Sequence, residues 1–199
     1  MKKTILIIVL VGLQLGLHAQ TTTAETNSIT EPRKFYLGFS TGINQGTGLI
    51  GPTVELQMIR NLTVFGGAGL GSWGSKVTGG LKYYINYPGN WAFGIGYSHA
   101  TGVNDVTVNL ADGFIEGQSG QQKTKFKLLP CNTVNISATK YWLLGKQQKN
   151  RMHLEFGYAI PTSDNRYETA VTLTDKGQNF MKILQPGGLI LGVGFSFGL

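Results

Sequence analysis

The chain has 199 residues, 41% of them hydrophobic and only 14% charged, with a formal net charge of +7. Its one cysteine, Cys131, cannot form an internal disulfide, and past the N-terminal segment no run is apolar for the ~18 consecutive positions that mark a membrane-spanning helix. The basic residues are scattered except for Lys123, Lys125 and Lys127, so the composition speaks against a nucleic-acid-binding protein.

The first element is MKKTILIIVLVGLQLGLHAQ. Lys2 and Lys3 form a basic start, Thr4 to Leu17 is almost wholly apolar, and Ala19 precedes a polar run. This is the pattern of a secretory signal peptide over residues 1–19. A permanent anchor helix is the alternative, but the apolar run is short for a span of ~20 residues. No cysteine stands near the cut, so a lipoprotein is not expected. Removing Lys2 and Lys3 lowers the formal charge to +5. Residues 20–33 are polar and read as a flexible periplasmic lead-in to one domain over residues 34–199.

From residue 35 the sequence alternates with period two, the signature of strands. Phe35, Leu37, Phe39, Thr41 and Ile43 oppose Tyr36, Gly38, Ser40 and Gly42. Val54, Leu56 and Met58 oppose Thr53, Glu55 and Gln57, and residues 62–70 alternate more weakly. In 77–87, Val77, Leu81, Tyr83, Ile85 and Tyr87 oppose Thr78, Gly80, Lys82 and Tyr84. In 91–98, Trp91, Phe93, Ile95 and Tyr97 oppose Ala92, Gly94, Gly96 and Ser98. A long segment, 124–142, places Phe126, Leu128, Val134, Ile136, Ala138 and Trp142 on one face and Lys125, Lys127, Thr133, Asn135, Ser137 and Thr139 on the other, with Pro130 suggesting a bulge or register change. Residues 151–160 and 188–199 complete eight strands, with Arg151, His153, Glu155 and Ser196 on the small or polar face.

Two stretches, GFSTG at 38–42 and GFSFG at 194–198, fit the G-x-S-x-G pattern of a serine-hydrolase nucleophile elbow. That elbow needs a sharp strand-to-helix turn. Neither copy is followed by a helical pattern, and glycines at alternate strand positions generate the motif by themselves.

The two faces differ in kind. One is large and apolar, and the other is mostly Gly, Ser, Ala and Thr with isolated charges. The second is a poor surface to present to water and a good lining for a narrow barrel, so the large face is expected outward, against lipid. Phe35, Tyr87, Trp91, Trp142 and Phe197 fall near strand ends, as aromatic girdles do. The connections at 60–61, 88–90 and 145–150 are short; of those expected at the other end, 44–51, 71–75, 111–122 and 161–187, the second is also short but the last two are the longest in the chain. Short periplasmic turns with longer outer loops are the asymmetry of outer-membrane barrels.

With these segments the chain resembles the small eight-stranded outer-membrane barrels, the group containing the OmpA transmembrane domain and OmpX. The signal ending HAQ and the glycine-rich strands are similar to those of exported barrel proteins of Bacteroidetes. The resemblance covers residues 34–199 as a pattern. It implies an all-β fold, an eight-stranded antiparallel transmembrane up-and-down β-barrel in the outer membrane of a Gram-negative bacterium. It also implies contact with outer-membrane lipid and lipopolysaccharide, and insertion by the barrel assembly machinery. Members usually end in an aromatic residue; here Leu199 holds that place, with Phe195 and Phe197 in phase before it.

The expected lumen set is Glu55, Lys82, Tyr84, Arg151, His153 and Glu155. Uncompensated charge in a barrel interior is costly, so at least one carboxylate is expected to pair with Lys82 or Arg151, with Glu55–Lys82 as first candidate. A salt-bridged polar core is the preferred reading over a gate or proton path, because eight strands leave an interior just wide enough for side chains. His99 adjoins Ser98, but neighbouring strand residues point to opposite faces. No catalytic residue, cofactor or metal site is assigned, and an enzyme is not expected. In the last long loop Thr174 is placed to cap a short helix carrying Phe180, Ile183 and Leu184, stopped at Pro186-Gly187, which either closes the barrel mouth or binds a partner. The chain thus reads as a monomeric structural or interaction protein acting through its outer loops, with a barrel that binds or passes a small apolar ligand, or a lipid-modifying enzyme, as alternatives.

Overall fold

The structure, a computed structural model, describes residues 33–164 and 166–199; the expected signal peptide, and all of the lead-in except Arg33, lie outside the described residues. In chain order the elements are β1 (Phe35–Ile43), β2 (Ile50–Ile59), β3 (Leu62–Gly71), β4 (Gly74–Asn86), β5 (Gly89–Ala100), β6 (Val103–Leu110), β7 (Gln122–Leu128), β8 (Cys131–Leu144), β9 (Asn150–Pro161), β10 (Tyr167–Thr169), α1 (Asp175–Leu184) and β11 (Gly188–Gly198). Eight strands close into a barrel in the order β1-β11-β9-β8-β5-β4-β3-β2, every pair antiparallel. The meander is interrupted twice. β6 and β7 are inserted between β5 and β8, and β10 and α1 between β9 and β11. The order β10-β7-β6 forms a small second sheet, which with α1 makes a lobe at one end of the barrel.

The period-two pattern sets which face is which. Phe39 (61% exposed), Ile95 (56%) and Leu189 (68%) point outward, and the outer surface of every barrel strand carries such residues. The buried side chains inside the barrel are instead Tyr36, Ser40, Glu55, Thr63, Lys82, Tyr84, Ser98, Asn135, Thr139, Tyr141, Arg151 and their neighbours. The two G-x-S-x-G stretches lie opposite each other where the barrel closes: Gly38 pairs with Ser196, and Ser40 with Gly194. Both serines point into the barrel, and neither stands on a strand-to-helix turn.

Two inward glycines of β11 are required by close approach. A Cβ on Gly192 would stand 2.5 Å from Cδ of Gln45, and one on Gly194 would collide with the His153 ring. The bare backbone of β11 therefore leaves the width that longer side chains from facing elements occupy.

Three readings of the sequence change. The segment 124–142 is two strands in two sheets. Pro130 cannot donate to a ladder, and the link Leu129-Pro130 reverses the parity, so that Phe126 and Leu128 face in on β7 while Cys131, Thr133 and Asn135 face in on β8. Phe126 and Leu128 thus lie in the lobe's apolar core rather than on the barrel's outer wall, and Lys125 and Lys127 are exposed rather than inward. Tyr87 is no girdle residue. The register shift between Tyr84 and Asn86 turns it inward, where its ring packs edge-on against Tyr36 and Tyr84 and its hydroxyl donates to the Arg33 carbonyl at 2.6 Å. Finally, β6 was not anticipated, because its Asn, Asp and Thr dilute the apolar face.

The helix begins where expected: the Thr174 hydroxyl accepts from the Gly177 amide at 3.4 Å. Met181 is buried, with Phe180 packed edge-on against Phe114; the side chains of Ile183 and Leu184 lie outside the described residues. The lobe core joins Met181, Phe126, Leu128, Leu110, Ile115 and Leu173 to Trp73 from the β3–β4 turn and to Ala100 and Cys131 from the barrel rim. The Trp73 indole N–H donates to the Leu129 carbonyl at 2.9 Å. Replacing Trp73 with alanine removes a large buried anchor, and such changes cost about 3–5 kcal/mol. The expected outcome of Trp73→Ala is a lobe that is cut by protease within 101–129 and 162–187, while the barrel resists. Unchanged proteolysis of the lobe would show that Trp73 is not what fastens it.

Candidate functional site

The polar groups inside the barrel form three layers. At the short-turn end, Arg151 of β9 is the centre. Its guanidinium makes an ion pair with Glu55 of β2 at 2.9 Å, with only 2% and 7% of the two side chains exposed. Its Nε donates to Ser196 Oγ at 3.0 Å and its Nη1 to the Tyr84 hydroxyl at 3.0 Å. The guanidinium plane also lies over the Tyr36 ring, 3.7 Å from its centroid. Tyr84 in turn donates a short hydrogen bond to Glu55. A buried guanidinium is tolerated when its donors are used and its face is stacked, and both conditions hold here.

The middle layer is built on Lys82. Its ammonium donates to the Tyr141 hydroxyl at 2.9 Å and lies over the Phe65 ring, 4.8 Å from the centroid. Tyr141 then donates to Glu55 at 3.3 Å. Lys82 therefore reaches Glu55 through Tyr141, and the direct ion pair of Glu55 is with Arg151. The expected Glu55–Lys82 contact is thus corrected. The long Arg151 side chain, starting one residue into β9, reaches the carboxylate first. His153 packs on the Tyr141 ring with centroids 5.3 Å apart, and its Nδ1 is buried without a protein partner.

The third layer comes from a loop. Residues 44–49, between β1 and β2, turn back into the barrel. Gln45 (2% exposed) donates to Glu155 at 3.1 Å, and the Thr47 and Ser40 hydroxyls lie 2.9 Å apart. Thr78 donates to the Gly46 carbonyl at 2.6 Å, and Lys76 holds the Asn44 and Gln45 carbonyls at 3.0 and 2.8 Å. Beside them Ser98 lies 2.5 Å from both Thr78 and Asn135. Between this loop and the tyrosine layer lies a cavity of about 50 Å³ lined by Ser40, Thr47, Glu55, Lys82, His153 and Glu155 among others.

All six expected lumen residues are inside and near one another. Sequence reasoning missed Tyr141, Tyr36 and Ser196 as members of the network, although their inward parity was readable. It had no access to Gln45, because a loop has no facing pattern. Ser98 and His99 do point to opposite sides: the His99 ring bonds Asn132 at 2.7 Å on the exterior. Ser196 is held by Arg151, not by a histidine. Among the described residues no three His, Cys, Asp or Glu side chains converge as metal ligands would. No family model matches the chain, and comparison with curated proteins finds no match.

The network makes a specific energetic prediction. Arg151→Met strands the Glu55 carboxylate in the interior, and breaking a buried pair from one side costs roughly 3–5 kcal/mol. The double variant Arg151→Met/Glu55→Leu is expected to be more stable than Arg151→Met alone, because no charge is left unpaired. Unfolding in detergent checks this; equal stability of single and double variants would remove the ion pair from the account.

Proposed function

We propose that the chain is a small outer-membrane β-barrel protein of a Gram-negative envelope, with a lumen filled by its own side chains, that acts as a structural or interaction protein through the lobe at its outer end. The observation that carries the reading is the inversion of the barrel. Its exterior is ringed by Leu37, Phe39, Val54, Leu81, Phe93, Ile95, Ile136, Phe156 and Leu191, while its interior holds Arg151, Lys82, Glu55 and Glu155. A water-soluble barrel buries its large apolar residues; this one displays them, which suits lipid. Three further features support it. The N-terminal sequence has the pattern of a secretory signal peptide. Trp91 and Trp142 stand near the short-turn end of the exterior. Two of the four connections at the other end, 101–130 and 162–187, are long, as outer loops are, while 44–49 and 72–73 are short.

The layered interior supports a closed barrel. Loop 44–49 fills one end and Arg151 with its tyrosines the other, and the small cavity between is lined by Glu55, Lys82, His153 and Glu155 together with Val54, Phe65 and Ile190. At about 50 Å³ it has room for a few waters, far below the ~300 Å³ at which small-ligand pockets begin. Neither a diffusion pore nor an apolar-ligand carrier is therefore proposed. The chemistry of the interior is spent on holding itself together, so no catalytic role is proposed either. The barrel assembly machinery is the expected insertion partner, and a monomer the expected state.

Four measurements test the reading. The refolded protein should float with lipid vesicles and migrate differently on SDS gels before and after boiling; recovery as a soluble, heat-unmodifiable species would overturn it. Leu81→Arg places a charge on the exterior at a cost of roughly 2–4 kcal/mol near a bilayer midplane, so it should assemble poorly where Leu81→Val assembles normally. In planar bilayers the wild-type protein should show no steady conductance, and a persistent open state would overturn the filled lumen.

A further inference from the structure

Loop 44–49 is held in the barrel without an apolar anchor. Residues 44–48 are Asn, Gln, Gly, Thr and Gly, and the two side chains buried are Gln45 and Thr47. The apolar residues at its edges, Ile43 and Leu49, are exposed instead. The hold consists of hydrogen bonds. Lys76 donates to the Asn44 and Gln45 carbonyls, Thr78 to that of Gly46 and Gln45 to Glu155, and the Thr47 and Ser40 hydroxyls share one more. Each of these groups can exchange its partner for water, so the bonds count for little net, and apolar burial, which water cannot replace, is missing. One partner gains by the exchange. The Lys76 ammonium is buried on these carbonyls and forms no ion pair among the described residues. A buried charge without a counter-charge is costly, and withdrawal of the loop returns it to water.

The loop is fastened to the last segment of the lobe by one residue. The Asn44 side-chain amide donates to the carbonyls of Gly187 at 2.7 Å and Leu189 at 3.1 Å. Asn44 has a φ of 52°, which Asn tolerates, and Gly187 and Gly188 have φ of 126° and 91°, which suit glycine. This segment leaves α1 directly. The Gln185 amide closes the helix on the carbonyl of Met181, a lobe-core residue, and Arg166 donates to the Pro186 carbonyl at 3.2 Å. A shift of α1 therefore carries the two acceptors of Asn44 with it. Beside this joint lies a second cavity of about 40 Å³, bounded by Asn44, Leu49, Trp73, Lys76 and Pro186, so loop and lobe are not packed solid against each other.

Resting on the closed lumen and on the lobe as the acting end, both described above, we propose that loop 44–49 is a removable plug, latched to the lobe through Asn44, and that movement of α1 releases it. Release opens the lobe end only. Arg151, Glu55 and the tyrosines still seal the short-turn end, so the product is a blind cup and not a channel. Its walls, with Lys76, Thr78, Ser40 and Glu155 freed from the loop, suit a small polar solute.

The test uses the full chain refolded in neutral phospholipid vesicles and carrying Cys131→Ala/Ser137→Cys, which moves the one thiol to the lumen wall. The probe is a small cationic methanethiosulfonate, too large for the closed cavity, so labelling reports release. Asn44→Asp tolerates the same backbone but cannot donate, and two lost hydrogen bonds correspond to labelling about 10-fold faster. Asn44→Gly should behave alike. Phe180→Ala, which loosens α1 against Phe114 without touching the loop, should also speed labelling. For the reverse, a Cβ on Gly46 would lie 3.4 Å from that of Thr78, close to disulfide spacing. Oxidised Gly46→Cys/Thr78→Cys, in a Cys131→Ala chain, should slow hydrogen exchange of amides 45–49 to the rate of the barrel wall, whereas the wild-type loop exchanges faster than the wall. Exchange of the wild-type loop as slow as the wall would overturn the plug's release. Unchanged labelling in both Asn44 variants would overturn the latch, and unchanged labelling in Phe180→Ala would overturn its link to α1. Every variant is scored for migration before and after boiling and for conductance. Steady conductance confined to the Asn44 variants would overturn the blind cup, whereas a conducting wild type defeats the filled-lumen reading itself.

Discussion

The interior of this barrel depends on keeping one guanidinium buried. Arg151 enters from β9 with its side chain almost completely removed from solvent, and an isolated charge there would be destabilising by several kcal/mol. Its partners come from around the ring: Glu55 from β2, Tyr84 from β4, Ser196 from β11 and Tyr36 from β1, with Tyr141 of β8 bridging Glu55 to Lys82. Six of the eight barrel strands thus contribute to one connected set of contacts. Each polar group limits where the next can go, so the network specifies stagger between strands as well as stabilising it. The apolar exterior cannot do this, because outward residues are only loosely constrained by one another.

The same requirement explains the uneven distribution of size along the inner face. Long side chains sit on β2, β4, β8 and β9, and glycines sit where they would collide with them. Gly194 lies under the His153 ring and Gly192 under the Gln45 amide. The glycine-rich character of the chain is therefore a packing consequence of a narrow barrel filled by Arg, Lys, Tyr, Gln and His. The recurring G-x-S-x-G stretches belong to this pattern. Ser40 and Ser196 use their hydroxyls to hold Thr47 and Arg151.

The lobe separates two physical tasks. Its core of Trp73, Phe126, Leu128, Met181 and Leu173 is an ordinary apolar interior, unlike that of the barrel beneath it. The change happens within two residues of backbone on each strand, at Thr101-Gly102 and at Leu129-Pro130. Gly102 takes a positive φ of 74° and Pro130 donates no hydrogen bond, so the ladder is interrupted at the same height on both strands. Above that line large residues face in and charged ones face out; below it the reverse holds.

The eight barrel strands, most of their inward and outward faces and the short turn at 60–61 were legible in the sequence, because period two is a local property that each strand displays by itself; the next short turn lies at Tyr87–Pro88, a residue earlier than its 88–90 pattern suggests. The six charged and polar lumen residues were legible for the same reason. Which of them touch was not. Pairing of Glu55 with Arg151 rather than Lys82 depends on how far each strand is shifted against its neighbours, and alternation carries no information about shift. Phe126, Leu128 and Tyr87 were placed on the wrong face because Leu129-Pro130 and the irregularity after Tyr84 each reverse the parity, and a single misplaced residue inverts every assignment beyond it. The insertion of Gln45 and Thr47 into the barrel was decided by tertiary structure alone: a loop has no periodicity, and its place is set by the polar groups of Thr78, Lys76 and Glu155 that the closed barrel gathers to receive it.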